Sequence, residues 1–570
     1  MNTQEWSAGQ PVRLDLDVLR GELAASPGAA RLRSLDLGRV IEGDDALDEL
    51  ARAVAEFPRS CAGVVVLAAA TPMTVADRDL QAEATEVLGR GFGVDWVTLG
   101  PPDGQVHADE ATVAAACQAA RGAGCVVTIG SGTITDIGKA AAGQGTPLVV
   151  VQTATSVNGY ADPFSVLLHH GVKRTSPSRW PDTLLVDPAI LCAAPAELNR
   201  AGVGDLVSMF TSTADWYLAG AVGADPSYDQ AVARLSRRHG ARLLALAASL
   251  AGGQDAEPGS SVMTSVGTGT AAEPLLGGSG GSSPPVSTGA EALPGGLVGS
   301  SPPVSSAAEA LPWDPMGSSP WVSAGAEALS GGSGRSSPRA STAALGELAR
   351  ILTLSGIAMG VAGSTAPSSG MEHAISHLLE MTDTARGRHG SYHGTKVGVA
   401  SIVAAATWAH VRRRIGEGAL DRPARIPDPD QARDRISQAF TEIDASGAMA
   451  AECFADYARK LAVLAAGSDP LASLRKGWEG HNAALGEMLA SPAELAAALG
   501  LAGLPVRFAA LPDPVSDGEA RWAVANCALL RNRFGVADLA MLLGCWEDDD
   551  VDEVLADAAV LAGQRSGHQR

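Results

Sequence analysis

An α/β region with a parallel sheet, followed by an all-α region, is the fold class that this 570-residue sequence predicts. Three observations carry it. Valine-rich apolar runs alternate with helix-like stretches up to about residue 195, one of these runs ends in a glycine turn, and beyond residue 195 Ala/Leu periodicity replaces the strand-like runs.

The elements follow in order. Residues 62–70 hold the run GVVVLAAA, whose β-branched valines predict a strand; a polar helix-like stretch from Arg78 to Arg90 and a second run, VDWVTLG, come next. A helical pattern from Asp109 to Ala123 leads into CVVTIGSGTITDIGKAAA, and PLVVVQTATS supplies another apolar run. Strands that read as continuous apolar runs are buried on both faces, so helices are expected on each side of the sheet. From Pro195 onward, periodic stretches at 197–220, 227–251, 343–362, 371–382 and 394–415, with more after 430, predict helices. The length exceeds what one hydrophobic core usually serves. The predicted division is therefore an α/β domain over 1–195 and a helical domain over 196–570.

Between 252 and 342 the helical pattern is interrupted by a tract rich in Gly, Ser and Pro. SSPPVSTGAEALPGGLVG at 282 recurs as SSPPVSSAAEALPWDPMG at 300 and SSPWVSAGAEALSGGSGR at 318, a period of 18 residues. Each unit has too few apolar residues to offset chain entropy, so a disordered insertion is expected rather than a solenoid. Trp313 and Trp321 are its candidate anchors for a partner.

Charge narrows the partners. With 63 acidic against 42 basic residues and a net charge of -21, the surface repels nucleic acid and anionic membranes at long range. Small anions remain possible at a local basic pocket. Seven scattered cysteines without CxxC spacing read as buried thiols of a reducing compartment. The acidic start lacks a signal-peptide pattern and no purely apolar run is long enough to span a bilayer, so a cytoplasmic location is expected.

Two regions carry candidate chemistry. The segment VVTIGSGTITDIGK reads as strand, glycine turn and helix start: glycines let the backbone approach a pyrophosphate, and the free N–H groups of the helix face the anion. The polar run Thr153 to Asp162, at the carboxyl end of the next strand, is where open α/β sheets bind ligands. In the helical half, His373 and His377 stand four apart on one helix face; His393 begins the next helix, and GVGD, ending in Asp205, is read as opening an earlier one. Two neutral imidazoles and a carboxylate form a divalent-cation site with positions open for substrate. Glu372 is expected to point about 100° from His373 and to support rather than ligate. His107, His239, His389, His410, His481 and His568 have no partner pattern.

Taken together, GSGTITDIGK, TATSVNGYADP, GVGD, SSGMEHAISH and HGTKVGV resemble, in this order, the motifs of the family uniting glycerol-1-phosphate dehydrogenases, glycerol dehydrogenases, iron-type alcohol dehydrogenases and, more distantly, dehydroquinate synthases. The resemblance looks closest to the glycerol-1-phosphate dehydrogenases. It implies Asp205, His373 and His393 as ligands of one zinc, nickel or iron ion, His377 as a catalytic substrate contact and Asn158 as its orienting partner. It further implies Gly130, Ser131, Gly132, Thr133, Ile134, Asp136, Thr153, Ala154, Thr155, Ser156 and Asp162 around NAD or NADP. The implied activity is reversible reduction of dihydroxyacetone phosphate to sn-glycerol 1-phosphate by a homo-oligomer, with Lys173, Arg174 and Arg179 as candidate phosphate contacts. A cyclase of the dehydroquinate synthase type, another small-alcohol dehydrogenase, and a silent scaffold with a repeat arm are the alternatives. The chain departs from the family's pattern at Asn158, where Asp is usual, at Asp162, where Ser is common, and at Ala69-Ala70-Thr71, where an Asp would hold the adenine ribose. Without that carboxylate, a 2′-phosphate is not repelled.

Overall fold

A computed structural model describes residues 14–101, 106–251, 341–467 and 469–563. The repeat tract expected over 252–342 therefore falls, but for its last two residues, outside the described residues.

Ten strands are present among them: β1 Arg39–Glu42, β2 Val64–Ala69, β3 Thr74–Val75, β4 Arg78–Asp79, β5 Val94–Leu99, β6 Cys125–Gly130, β7 Leu148–Gln152, β8 Phe164–His169, β9 Val172–Pro177 and β10 Thr183–Val186. Six form one parallel sheet in the order β1-β10-β7-β6-β2-β5, while β3–β4 and β8–β9 are separate antiparallel hairpins. Strand side chains alternate between faces, and the sheet sorts its apolar residues accordingly. Val65, Leu67, Val126, Leu148, Val150 and Leu184 join the large core that continues into the helices, whereas Val64, Val66, Val127, Ile129, Val149 and Leu185 pack in a second core on the opposite face. Both faces are thus covered, as the continuous apolar runs predict.

Beyond β10 the described elements are helices, from Pro188–Ala193 to Asp548–Gly563. One of them, Thr342–Ala362, is long and apolar enough to cross a membrane, but 94% of that window is buried inside the fold. Of the seven cysteines four are buried and two half-buried; Cys61 is exposed, against expectation, because it sits on a short 3-10 turn ahead of β2.

The periodic stretch at 197–220 is two helices, Ala196–Leu206 and Met209–Ala221. Asp205 consequently lies in the last turn of the first helix, not at a helix start. The glycines that suggested a start serve a different purpose. A Cβ on Gly202 would fall 1.9 Å from the Thr155 carbonyl oxygen, one on Gly204 2.1 Å from that of Gly394, and one on Gly394 2.0 Å from that of Ala201. Gly204 and Gly394 let the Ala196–Leu206 helix meet the His393–Gly416 helix backbone to backbone, and Gly202 lets the same helix approach the backbone at Thr155.

Candidate functional site

A cleft of about 770 Å³ runs from the carboxyl ends of the strands to the helical half. At one end is the glycine turn. β6 finishes at Gly130, Ser131 is the N-cap, and the helix Gly132–Ala142 follows with no side chain capping its first N–H groups. Those groups and the positive end of the helix suit an anion. Neither glycine of the turn needs positive φ. Gly132 is required by proximity, since a Cβ there would lie 2.6 Å from Val157 Cγ2. Ser131, Gly132, Thr133, Ile134, Asp136, Ser156 and Asp162 line the cleft.

Other predicted members of this group stand behind the wall. Gly130 accepts from Thr153 N, Ala154 from the Gln152 side chain, and Thr155 is bonded to Asn199 through its N–H and hydroxyl, so these residues hold the strand ends in place. Asp162 is committed as a counter-ion. Its Oδ1 accepts from Lys139 Nζ at 2.8 Å and Phe164 N at 2.9 Å, while Lys139, fully buried, also donates to Gly159 O and Phe164 O. Burial pushes Asp136 up to about 7, with Lys139 offsetting part of the effect.

At the other end Asp205, His373 and His393 converge, their ligand atoms all within 4.8 Å of one another. Asp205 Oδ2 accepts from Asn158 N at 2.9 Å. Its Oδ1 is buried without a hydrogen-bond partner, 3.3 Å from His373 Nε2 and 3.9 Å from His393 Nε2. Behind each imidazole stands a glutamate: His373 Nδ1 lies 3.0 Å from Glu372 Oε1, and His393 Nδ1 2.7 Å from Glu380 Oε1. A carboxylate only accepts, so each Nδ1 carries the hydrogen and each Nε2 turns its lone pair toward Asp205. Burial alone would lower the proton affinity of His373, but Asp205 and Glu372 outweigh it and raise it. This concentrated negative field, with an orphaned carboxylate oxygen and two Nε2 lone pairs, fits a divalent cation.

His377, on the same helix Met371–Ala385, faces the cleft with its ring centroid 5.5 Å from that of His393. Burial, then Lys173 and Arg531, hold its pKa well below the ordinary value, so the ring is neutral. Asn158 also lines the cleft and donates an amide hydrogen to Ser355 Oγ at 3.1 Å.

The basic candidates separate. Lys173 lines the cleft and pairs with Glu380, but Arg174 pairs with Glu452 and Asp456, and Arg179 with Asp182 and the Thr146 carbonyl, both away from the cleft. The hairpin β8–β9 alternates its side chains between two faces, which is why neighbours in sequence part company. Sequence reasoning missed Glu380, Asp383 and Lys396. Glu380 follows His373 and His377 at a spacing of seven and three, on the same helical stripe, and that periodicity was the signal available. Among the described residues, two other carboxylate–histidine clusters lie away from the cleft. One is the exposed Glu110, His169 and His170; in the other, Arg413 already occupies His410 Nδ1 beside Asp550 and Glu553.

Residues 41–195 match the family model described as iron-containing alcohol dehydrogenase. Among curated proteins, the glycerol-1-phosphate dehydrogenase [NAD(P)+] of Bacillus licheniformis is 36% identical over 94 residues, 16% of this chain and 23% of that protein. A protein of the same name from Methanothrix thermoacetophila is 23% identical over 308 residues, 54% of this chain and 62% of its own length. The matched segments thus span less than two thirds of these relatives. A solved structure, that of a probable glycerol dehydrogenase from Sinorhizobium meliloti, covers 94% of this chain and 99% of its own at 14% identity with a TM-score of 0.50, which shows a shared fold.

Proposed function

We propose that this chain, a relative of the iron-containing alcohol dehydrogenases through residues 41–195, is a metal-dependent NAD(P)-linked dehydrogenase acting on a CH–OH group. One observation carries the reading: Asp205, His373 and His393 converge on the same cleft that the glycine turn opens into. A divalent cation held there would supply Lewis acidity to the substrate oxygen, and a nicotinamide would supply the hydride acceptor or donor.

The chain's own groups divide the remaining work. The N–H groups after Ser131 bind the dinucleotide's pyrophosphate, and the open end of β2 at Ala69 and Thr71, both on the cleft, sets no carboxylate against a 2′-phosphate. Asp205, His373 and His393 hold the cation. The neutral His377 accepts the substrate hydroxyl's proton or returns it, within reach of the same corner. Asn158 fixes Asp205 through its N–H and presents its amide beside the substrate.

For the substrate, we favour dihydroxyacetone phosphate, reduced reversibly to sn-glycerol 1-phosphate, and the names of the curated relatives support it. Metal-loaded protein mixed with dihydroxyacetone phosphate and NADH or NADPH is expected to consume the reduced nicotinamide, and faster than with dihydroxyacetone, glycerol or simple alcohols. No turnover on any of these, with metal bound, would defeat the dehydrogenase reading; a preference for an unphosphorylated member would move the substrate assignment only.

A further inference from the structure

The two imidazoles of the corner are supported unequally. Glu372, behind His373, is fully buried and takes its other hydrogen bonds from neutral donors, Gly370 N and Thr211 Oγ1. Glu380, behind His393, has a charged partner as well. Its Oε1 accepts from His393 Nδ1 at 2.7 Å and from Ser376 Oγ at 3.2 Å, and its Oε2 accepts from Lys173 Nζ at 2.5 Å. Lys173 belongs to β9, in the hairpin on the sheet side, whereas Glu380 and His393 belong to the helical half. One carboxylate therefore ties the hairpin to an imidazole of the corner.

We propose that Glu380 is a positioning residue for His393 and that Lys173 holds Glu380 in place, which makes the β8–β9 hairpin part of the support of the cation site. The inference rests on reading Asp205, His373 and His393 as that site. Its chemistry is the choice between two ring nitrogens. An imidazole whose Nδ1 donates to a fixed carboxylate presents Nε2 as the lone pair and is a stronger donor to a cation. Removing the carboxylate frees the ring to rotate and to change tautomer. A single acceptor oxygen would not stay on Nδ1 unaided, because a glutamate side chain has free rotations to lose on ordering. The ammonium on Oε2 restrains them. It follows that the charge of Lys173 is spent on Glu380 rather than on a phosphate of the substrate.

The test is zinc affinity of the full chain, stripped of metal by chelation and measured by competition with a chromophoric chelator, with circular dichroism as the folding control. Asp205→Ala is expected to abolish binding. Glu380→Ala and Glu380→Gln should each weaken it by roughly 10- to 100-fold, with partial recovery in Glu380→Asp. The glutamine keeps the side-chain volume, so the test survives if the alanine variant does not fold. Lys173→Met should show a smaller loss that Lys173→Arg restores, and should raise KM alike for dihydroxyacetone phosphate and dihydroxyacetone. Zinc bound at unchanged affinity by both Glu380→Ala and Glu380→Gln, while Asp205→Ala loses it, would overturn the proposal. So would Lys173→Met that leaves zinc affinity intact and raises KM for the phosphorylated substrate alone. Zinc retained by Asp205→Ala would instead remove the cation site itself.

Discussion

The glycine turn and the Asp205 corner share one cleft but are built on opposite principles. The turn is contiguous in the chain and works with main-chain groups; its side chains matter mainly by being small, as at Gly132 against Val157. The corner draws Asp205, His373 and His393 from the ends or starts of three helices and works with side chains, each braced by a further residue: Asn158 N, Glu372 and Glu380. A backbone site tolerates most substitutions that leave the turn open. A side-chain site is expected to fail with the loss of a ligand and to weaken with the loss of a brace.

That contrast can be broken experimentally, and the largest effect should come from the corner. Asp205→Ala is expected to lose bound metal and at least about 10³-fold in kcat, while keeping NADH binding measured by nicotinamide fluorescence. Loss of cofactor affinity in that variant would mean the two ends are not independent. Gly132→Val should do the converse, weakening the dinucleotide about 10- to 100-fold by setting a side chain where backbone must approach, with metal content unchanged. Gly204→Ala touches neither ligand set directly, yet its Cβ would meet the Gly394 carbonyl; a loss of about 1–3 kcal/mol in urea denaturation is expected, and full stability would contradict the close helix contact.

The smallest effect concerns pH away from both sites. Burial, with Arg238 as a second cause, lowers His239 to about 4 from 6.5. The unfolded chain accepts a proton there that the folded chain refuses, so the stability involved is intact above about pH 6.5 and drains as pH falls toward 4. His239→Gln should flatten the fall in unfolding free energy over that window, by at most about 1 kcal/mol per pH unit. An unchanged slope would remove His239 from the acid response.

How much was legible in the sequence follows the same division. Buried parallel strands announce themselves as valine runs, and β2, β5, β6 and β7 lie where those runs are; the four-residue strands β1, RVIE, at the sheet edge, and β10, TLLV, beside it, are too short to carry a pattern that stands out. The glycine turn was readable because strand, turn and helix are consecutive. His373, His377 and His393 could be proposed from spacing and resemblance, but the helical position of Asp205 could not, because glycines that permit close packing look like glycines that end or begin a helix. Nor could the separation of Lys173 from Arg174: which of two adjacent cations faces the cleft depends on the register of β9 against β8. Glu380 lay within reach of helical periodicity, but its bonds to His393 and to Lys173 on the hairpin are contacts between elements that no spacing encodes.

The stitched glycines have a last implication. Where two helices touch through carbonyl oxygens and α-carbons, the separation of residues carried near that contact is a main-chain dimension, indifferent to rotamer choice. Asp205 and His393 flank this seam, at Gly204 and Gly394, so in the proposed cation site the spacing of their main chains would be set before an ion binds. The same rigidity leaves small room for drift: altering the spacing of a cation site proposed here would call for moving a helix, whereas altering the far rim of the cleft would call only for new side chains.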